Sequence, residues 1–223
     1  MSEFTNILAI DTALGGCAAA VVAGDRSAAR SEVMARGQAE QLVPFANAAM
    51  EEAGIEYADL DAVLCTIGPG AFAGLRIGMS CARAFGLSLD IPVFGITTLD
   101  ALAMQFCAQE FKPCSVILET KRKDFYFQHF DNQSQAVSKR DASEKIDVPE
   151  GSVLIGDGAK RFLDEQGGDY SYMEGYELPD MVMMAQILKR GDERFIEDAE
   201  PVYLRGADVS QPKTPPRKLE NIA

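Results

Sequence analysis

Residues 62–89 read AVLCTIGPGAFAGLRIGMSCARAFGLSL, and this stretch decides the fold. AVLCTI, residues 62–67, is a short apolar run of the kind a buried strand makes, and Gly68, Pro69 and Gly70 break it. From there to about Leu89 apolar residues recur at helical spacing, so the segment reads as strand, glycine turn and helix. Two ligand loops share that outline. A P-loop follows its last glycine with lysine and then serine or threonine, whereas Leu75 follows Gly74 here. A dinucleotide fingerprint is spaced GxGxxG, but Gly68, Gly70 and Gly74 are spaced GxGxxxG, and the next strand, PVFGITT, ends without the acid that would hold a ribose. A Rossmann-type oxidoreductase is therefore the least supported of the readings carried forward.

The helix itself says more. Gly74, Gly78, Ala82 and Gly86 recur every four residues as one small-residue ridge, with Ala73, Ile77, Cys81, Phe85 and Leu89 as an apolar ridge beside it. Glycine in a helix costs about 1 kcal/mol against alanine, so a close approach must compensate for the three that lie here. The pattern predicts a second backbone on the small ridge, contributed by a partner, with packing inside one subunit as the plain alternative. Arg76 and Arg83, seven residues apart, are the only charges on the helix and share a face. The expected partner interface is Gly74, Leu75, Arg76, Gly78, Ala82, Arg83 and Gly86. The free amides at the helix N-terminus leave weak anion binding open.

Working outward, NILAID (6–11) and CAAAVVAG (17–24) read as strands around the turn TALGG, and RSEVMA as a third antiparallel strand. QAEQLVPFANAAMEEAGI has the spacing of a helix face with Gly54 as its stop, and a further helix starts at Thr98, whose hydroxyl is the expected cap. The order β, β, β, α, β, α, β, α is that of a ribonuclease-H-like lobe. Beyond it, CSVILET and DFYFQHF look like a strand pair around KRK, SVLIGDG like a strand and turn, and MVMMAQILKRG like a helix after Pro179. SQPKTPPRKLENIA is proline-rich and charged, the composition of a loose tail in which Lys213, Arg217 and Lys218 are solvated rather than bound to RNA.

Composition narrows the chemistry. With 34 acidic against 21 basic residues the formal charge of -13 repels a phosphate backbone over most of the surface, so a nucleic-acid substrate would need another protein to hold it. The N-terminus has no signal-like region, no run approaches the roughly 20 apolar residues of a membrane span, and five widely spaced cysteines in apolar runs fit buried thiols in a reducing cytoplasm. The single histidine, His129, reads as a strand surface residue; no HExxH and no second histidine stand beside it for a metal site or a catalytic pair. Asp11 ends the first strand before Thr12 and a glycine turn, where it either approaches a metal or phosphate or, as favoured here, accepts backbone hydrogen bonds. Gly156, Asp157 and Gly158 approach a nucleotide or simply make an Asp-Gly turn.

Taken in order, ILAIDTA, GPGAFAGLRIG, LETKRKDFY, IGDGA (155–159) and EPVYLR (200–205) resemble the bacterial TsaB family, also called YeaZ, over nearly the whole chain. The resemblance implies an α/β fold of the actin, sugar kinase and Hsp70-like superfamily: two ribonuclease-H-like lobes with mixed sheets, at 1–108 and 109–208, and a flexible tail at 209–223. It implies a non-catalytic subunit that pairs with a TsaD-like catalytic subunit to form threonylcarbamoyladenosine beside the tRNA anticodon, touches tRNA only indirectly, and binds a TsaE-like ATPase as a pair. Helices of the first lobe, including that after GPG, would form a homodimer or the heterodimer. No cofactor is required of this chain, and ATP or ADP would sit at the complex interface. The superfamily's first phosphate loop falls at Asp11 and Thr12, and with Gly68, Gly70, Gly156, Asp157 and Gly158 these are the nucleotide-site candidates. Two departures stand out. Ala71 and Ala73 replace the family's serine and threonine, and Glu119, Thr120, Lys121 and Arg122 stand where it often has DARR. The rival function is an autonomous ATPase or small-molecule kinase of the same superfamily.

Overall fold

A computed structural model of the chain describes residues 4–198 and 200–205. Strands β1 (Asn6–Asp11), β2 (Gly16–Ala23) and β3 (Arg26–Val33) form an antiparallel meander. Helix α1 (Gln38–Ala53) follows, then β4 (Ala62–Thr66), α2 (Phe72–Leu89), β5 (Val93–Ile96) and α3 (Thr98–Glu110). Both β1–β4 and β4–β5 are parallel, so the sheet is mixed and the ribonuclease-H-like order read from the sequence is present. The third strand begins at Arg26, four residues before RSEVMA, because Gly24 takes φ 60° and turns the chain straight back after β2.

The second lobe holds β6 (Cys114–Glu119), β7 (Phe125–Phe130), β8 (Asp141–Ser143) and β9 (Val153–Ile155), paired in the order β8-β7-β6-β9, with α4 (Ala159–Gln166) behind. Helix α5 (Met181–Lys189) and strand β10 (Ile196–Glu197) complete the described elements.

Burial explains the placement. Every residue of β2, GCAAAVVA, is buried: Cys17, Ala19 and Val21 face the core under α1, while Ala18, Ala20 and Val22 face that under α5. Small side chains on both faces let helices approach from both sides. The nine consecutive or near-consecutive buried residues of α3, from Thr98 to Cys107, make it a helix covered all round. Ala101 and Met104 pack on the first sheet's core, and Leu99, Leu102, Ala103 and Phe106 on the second lobe's. Thus α3 is the wedge between lobes. Its cap is Thr97, which accepts from the Asp100 N–H at 3.0 Å, not Thr98, whose hydroxyl lies buried without a partner.

A division at residue 108 does not describe the second half. Met181, Met184, Ala185 and Leu188 of α5 pack on Ile7, Ala9, Ala18, Ala20 and Val22, and β10 pairs antiparallel with β5. The chain leaves the first lobe after α3 and returns to finish it. The expected tail at 209–223 lies outside the described residues.

Candidate functional site

The glycine stretch folds as strand, turn and helix, and its glycines meet this chain's own backbone. A Cβ on Gly70 would stand 2.3 Å from the Ala13 carbonyl oxygen, one on Gly74 2.0 Å from that of Thr12, and one on Gly78 2.7 Å from the Thr12 hydroxyl. The Ala71 N–H donates to the Ala13 carbonyl at 2.7 Å, and the Thr12 hydroxyl donates to the Gly74 carbonyl at 2.7 Å. Gly86 meets the Val93 side chain in the same way. The small ridge is therefore filled by the β1–β2 turn and β5, and the plain alternative holds. Gly74, Leu75, Gly78, Ala82 and Gly86 are buried inside the subunit and are not a partner face. Of the expected interface, Arg76 and Arg83 alone are exposed. The outward side of α2 carries Ala73, Ser80, Ala84 and Leu87, the last 87% exposed, with Ile77 half-buried. Glycine spacing marks the opposite face; the signal for this one is the run of small residues at 73, 80 and 84 beside Leu87.

The nucleotide-site candidates fall into three turns, of which those after β1 and after β4 pack together in the first lobe. Asp11 is fully buried at the end of β1; its Oδ1 accepts from the Thr66 hydroxyl and from the Ala13 N–H at 3.1 Å, while Oδ2 has no partner. Burial raises its pKa above the ordinary aspartate value, against the lowering effect of those two bonds. Gly68 has φ 95°, a region open to glycine, and packs on Leu75 and the Val202 carbonyl. In the second lobe Gly156 and Gly158 lie against the Ile117 and Leu118 backbone, and Asp157 accepts the Glu119 N–H at 2.9 Å. Burial, helped by the Glu119 charge, pushes Asp157 up to about 6. Both carboxylates thus hold turns closed.

What opens between the lobes is a cleft of about 560 Å³ past the N-terminus of α2. Arg76, Lys121, Arg122 and Arg205 line it with Phe72, Tyr126 and Tyr203, against one acid, Glu119. Glu119 is already taken: Arg161 donates to its two oxygens at 2.7 and 2.8 Å. Arg76 lies over the Phe72 ring at 3.9 Å, and Arg205 pairs with Asp124 at 3.2 Å. Ala71, where the family has serine, gives α2 no side-chain cap, so the helix enters this cleft with its first-turn amides uncovered by a hydroxyl. In a chain of net charge -13 this is a local concentration of positive charge and aromatic faces, suited to an anionic group. None of Lys121, Arg122, Tyr126, Tyr203 and Arg205 was singled out as a site residue from sequence, since nothing local brings residues 121–126 and 203–205 beside residue 76.

His129 is not a surface residue. It is buried, its Nδ1 2.8 Å from the Ser115 hydroxyl across the β6–β7 pair, and Ser115 lies 2.8 Å from the Ser152 hydroxyl. Burial lowers its pKa, keeping it neutral. Ser115 is wholly enclosed, so this Ser-His contact is a structural bond with no path for a substrate. Among the described residues no cluster of three metal-ligating side chains occurs, and no helix is long and apolar enough to cross a membrane.

Two lobes, each built on its own mixed sheet, around an interlobe cleft define a two-lobed α/β protein, with its glycine turns packed against their own backbone. Residues 30–183 match the family model described as TsaD, tRNA N6-adenosine threonylcarbamoyltransferase. The TsaB protein of Escherichia coli is 27% identical over 228 residues, covering 94% of this chain and 98% of that one. An uncharacterised protein of Mycobacterium tuberculosis is 35% identical over 160 residues, 70% of this chain and 74% of that one. The solved structure of YeaZ from Pseudomonas aeruginosa superposes with a TM-score of 0.79 at 23% identity, over 90% of this chain and all of that one. The chain belongs to the TsaB/YeaZ family.

Proposed function

We propose that this chain is the accessory subunit of a machinery that forms threonylcarbamoyladenosine in tRNA, pairing with a TsaD-like catalytic subunit through the outer face of α2. The observation that carries this is Leu87, 87% exposed on a helix whose other side is packed solid against its own subunit. A large apolar side chain on a rigid, small-residue face is the anatomy of a docking helix. The same face serves a homodimer when the catalytic subunit is absent, and the two uses compete. A TsaE-like ATPase then joins the pair, and ATP or ADP, where used, belongs at the joint surface, which the cationic interlobe cleft borders. Handling of tRNA is left to the partner, in keeping with the acidic surface, and the assembly works in the cytoplasm.

An autonomous ATPase or kinase would need carboxylates open to a nucleotide and its metal. Asp11 is enclosed and Asp157 holds the Glu119 backbone, which favours the accessory role. The test is Leu87→Asp combined with Ala84→Arg. Co-purification with the TsaD-like subunit should fall at least about tenfold while the unfolding midpoint stays put, because both positions are exposed. Wild-type yield of the complex would overturn the docking face. Cellular depletion of the chain should lower tRNA threonylcarbamoyladenosine, and unchanged nucleoside levels would overturn the assignment as a whole.

A further inference from the structure

Cys107, in the last turn of α3, and Cys114, the first residue of β6, hold their sulfurs 4.0 Å apart. Neither takes part in the docking face or the cleft. The two differ in access: Cys114 is fully enclosed, whereas Cys107, buried to 4% exposure, has its edge on a groove of about 600 Å³ lined also by Met104, Phe111, Arg190 and Arg194. The guanidinium of Arg194 is fixed there by Asp192 and by the Ser134 carbonyl at 2.9 Å. We infer that Cys107 and Cys114 are a peroxide-responsive dithiol, with Cys107 as the sulfur that meets the oxidant and Cys114 as the one that closes the disulfide.

The asymmetry assigns the roles. Cys107 ionises first: its hydrogen bond to the Cys114 thiol, with the Ser134 backbone and the Arg194 charge, lowers its pKa against burial and the Asp131 charge, while the hydrogen bond to Cys107 and then burial hold Cys114 protonated. The Cys107 thiolate attacks one oxygen of hydrogen peroxide, forming a sulfenic acid and releasing hydroxide, which takes up the proton that Cys107 gave. Cys114 then attacks the Cys107 sulfur, the S–S bond forms, and its proton leaves with the sulfenic oxygen as water. Two thiols are oxidised by two electrons and one peroxide is reduced to two waters. A contraction of about 2 Å between sulfurs completes the bond. It ties the last turn of the wedge helix to the first strand of the second lobe.

Treatment of the whole protein with hydrogen peroxide should consume two of its five thiols with a mass loss of about 2 Da, reversed by dithiothreitol. Non-reducing peptide mapping should join Cys107 to Cys114. In Cys114→Ser, dimedone should label Cys107; in Cys107→Ser, neither dimedone labelling nor a disulfide at Cys114 should appear. A link through Cys17, Cys65 or Cys81, equal thiol loss in both variants, loss of all five thiols together, or no two-thiol loss would each overturn the inference.

Discussion

Asp11 concentrates the residue-scale physics. Its carboxyl is enclosed, one oxygen accepts two hydrogen bonds and the other accepts none, and burial raises its pKa. A raised folded value stabilises the protein below the unfolded pKa of about 3.9, and that contribution is lost as pH rises through the folded value. Asp157, pushed up to about 6, loses its contribution across the window from about pH 4 to 6. Asp11→Asn keeps an oxygen for Thr66 and Ala13 and carries no charge. Thermal unfolding at pH 7 should therefore occur at an equal or higher temperature than in the wild type, with the gap closing toward pH 3. A variant less stable than wild type at pH 7 by more than about 1 kcal/mol would show that the charge is needed. That Asp11 borders a turn and Asp157 sits in one was legible in the sequence, because Asp beside Thr and Gly is local chemistry. The sequence misplaced His129, since DFYFQHF alternates but does not say that the loop carrying Ile146 and Val148 covers the sheet's far face.

At the scale of elements, α2 shows what spacing can and cannot tell. Four-residue glycine recurrence correctly announced a backbone in close contact, because a helix accepts that cost only against something near. Whose backbone it is depends on residues 12–13, about sixty positions upstream, and no periodicity within the helix encodes that. The consequence is a reversal of the substitution logic. Gly74→Ala places a methyl 2.0 Å from a main-chain oxygen that belongs to the β1–β2 turn, so the turn itself must shift. Equilibrium urea unfolding should show a loss of about 1–3 kcal/mol, despite the better helix propensity of alanine. Leu87→Ala, on the opposite face, should change stability by less than about 0.5 kcal/mol. Equal stability of Gly74→Ala and wild type would mean that the ridge is looser than its geometry states.

On the scale of the whole molecule, the lobes are not independent segments of chain. The strand and helix order of residues 6–110 made the first lobe readable, but the sheet's second face needs a cover that this order does not contain. α3 shields one end of that face and α5 the rest, with Met181, Met184, Ala185 and Leu188 over Ile7, Ala9, Ala18, Ala20 and Val22. MVMMAQILK was legible as a helix; its destination was not, because an apolar helix face fits either lobe until the fold chooses. A fragment ending at Glu110 keeps five strands and three helices yet exposes that alanine- and valine-lined face. It should bind a hydrophobic dye such as ANS, retain far-ultraviolet helix signal and lose its cooperative unfolding transition. Restoring residues 111–205 should return cooperativity, because the same chain that builds the second lobe also closes the first. A sharp two-state transition in the short fragment would show that the first sheet stands without α5, and the lobes would then be separable after all.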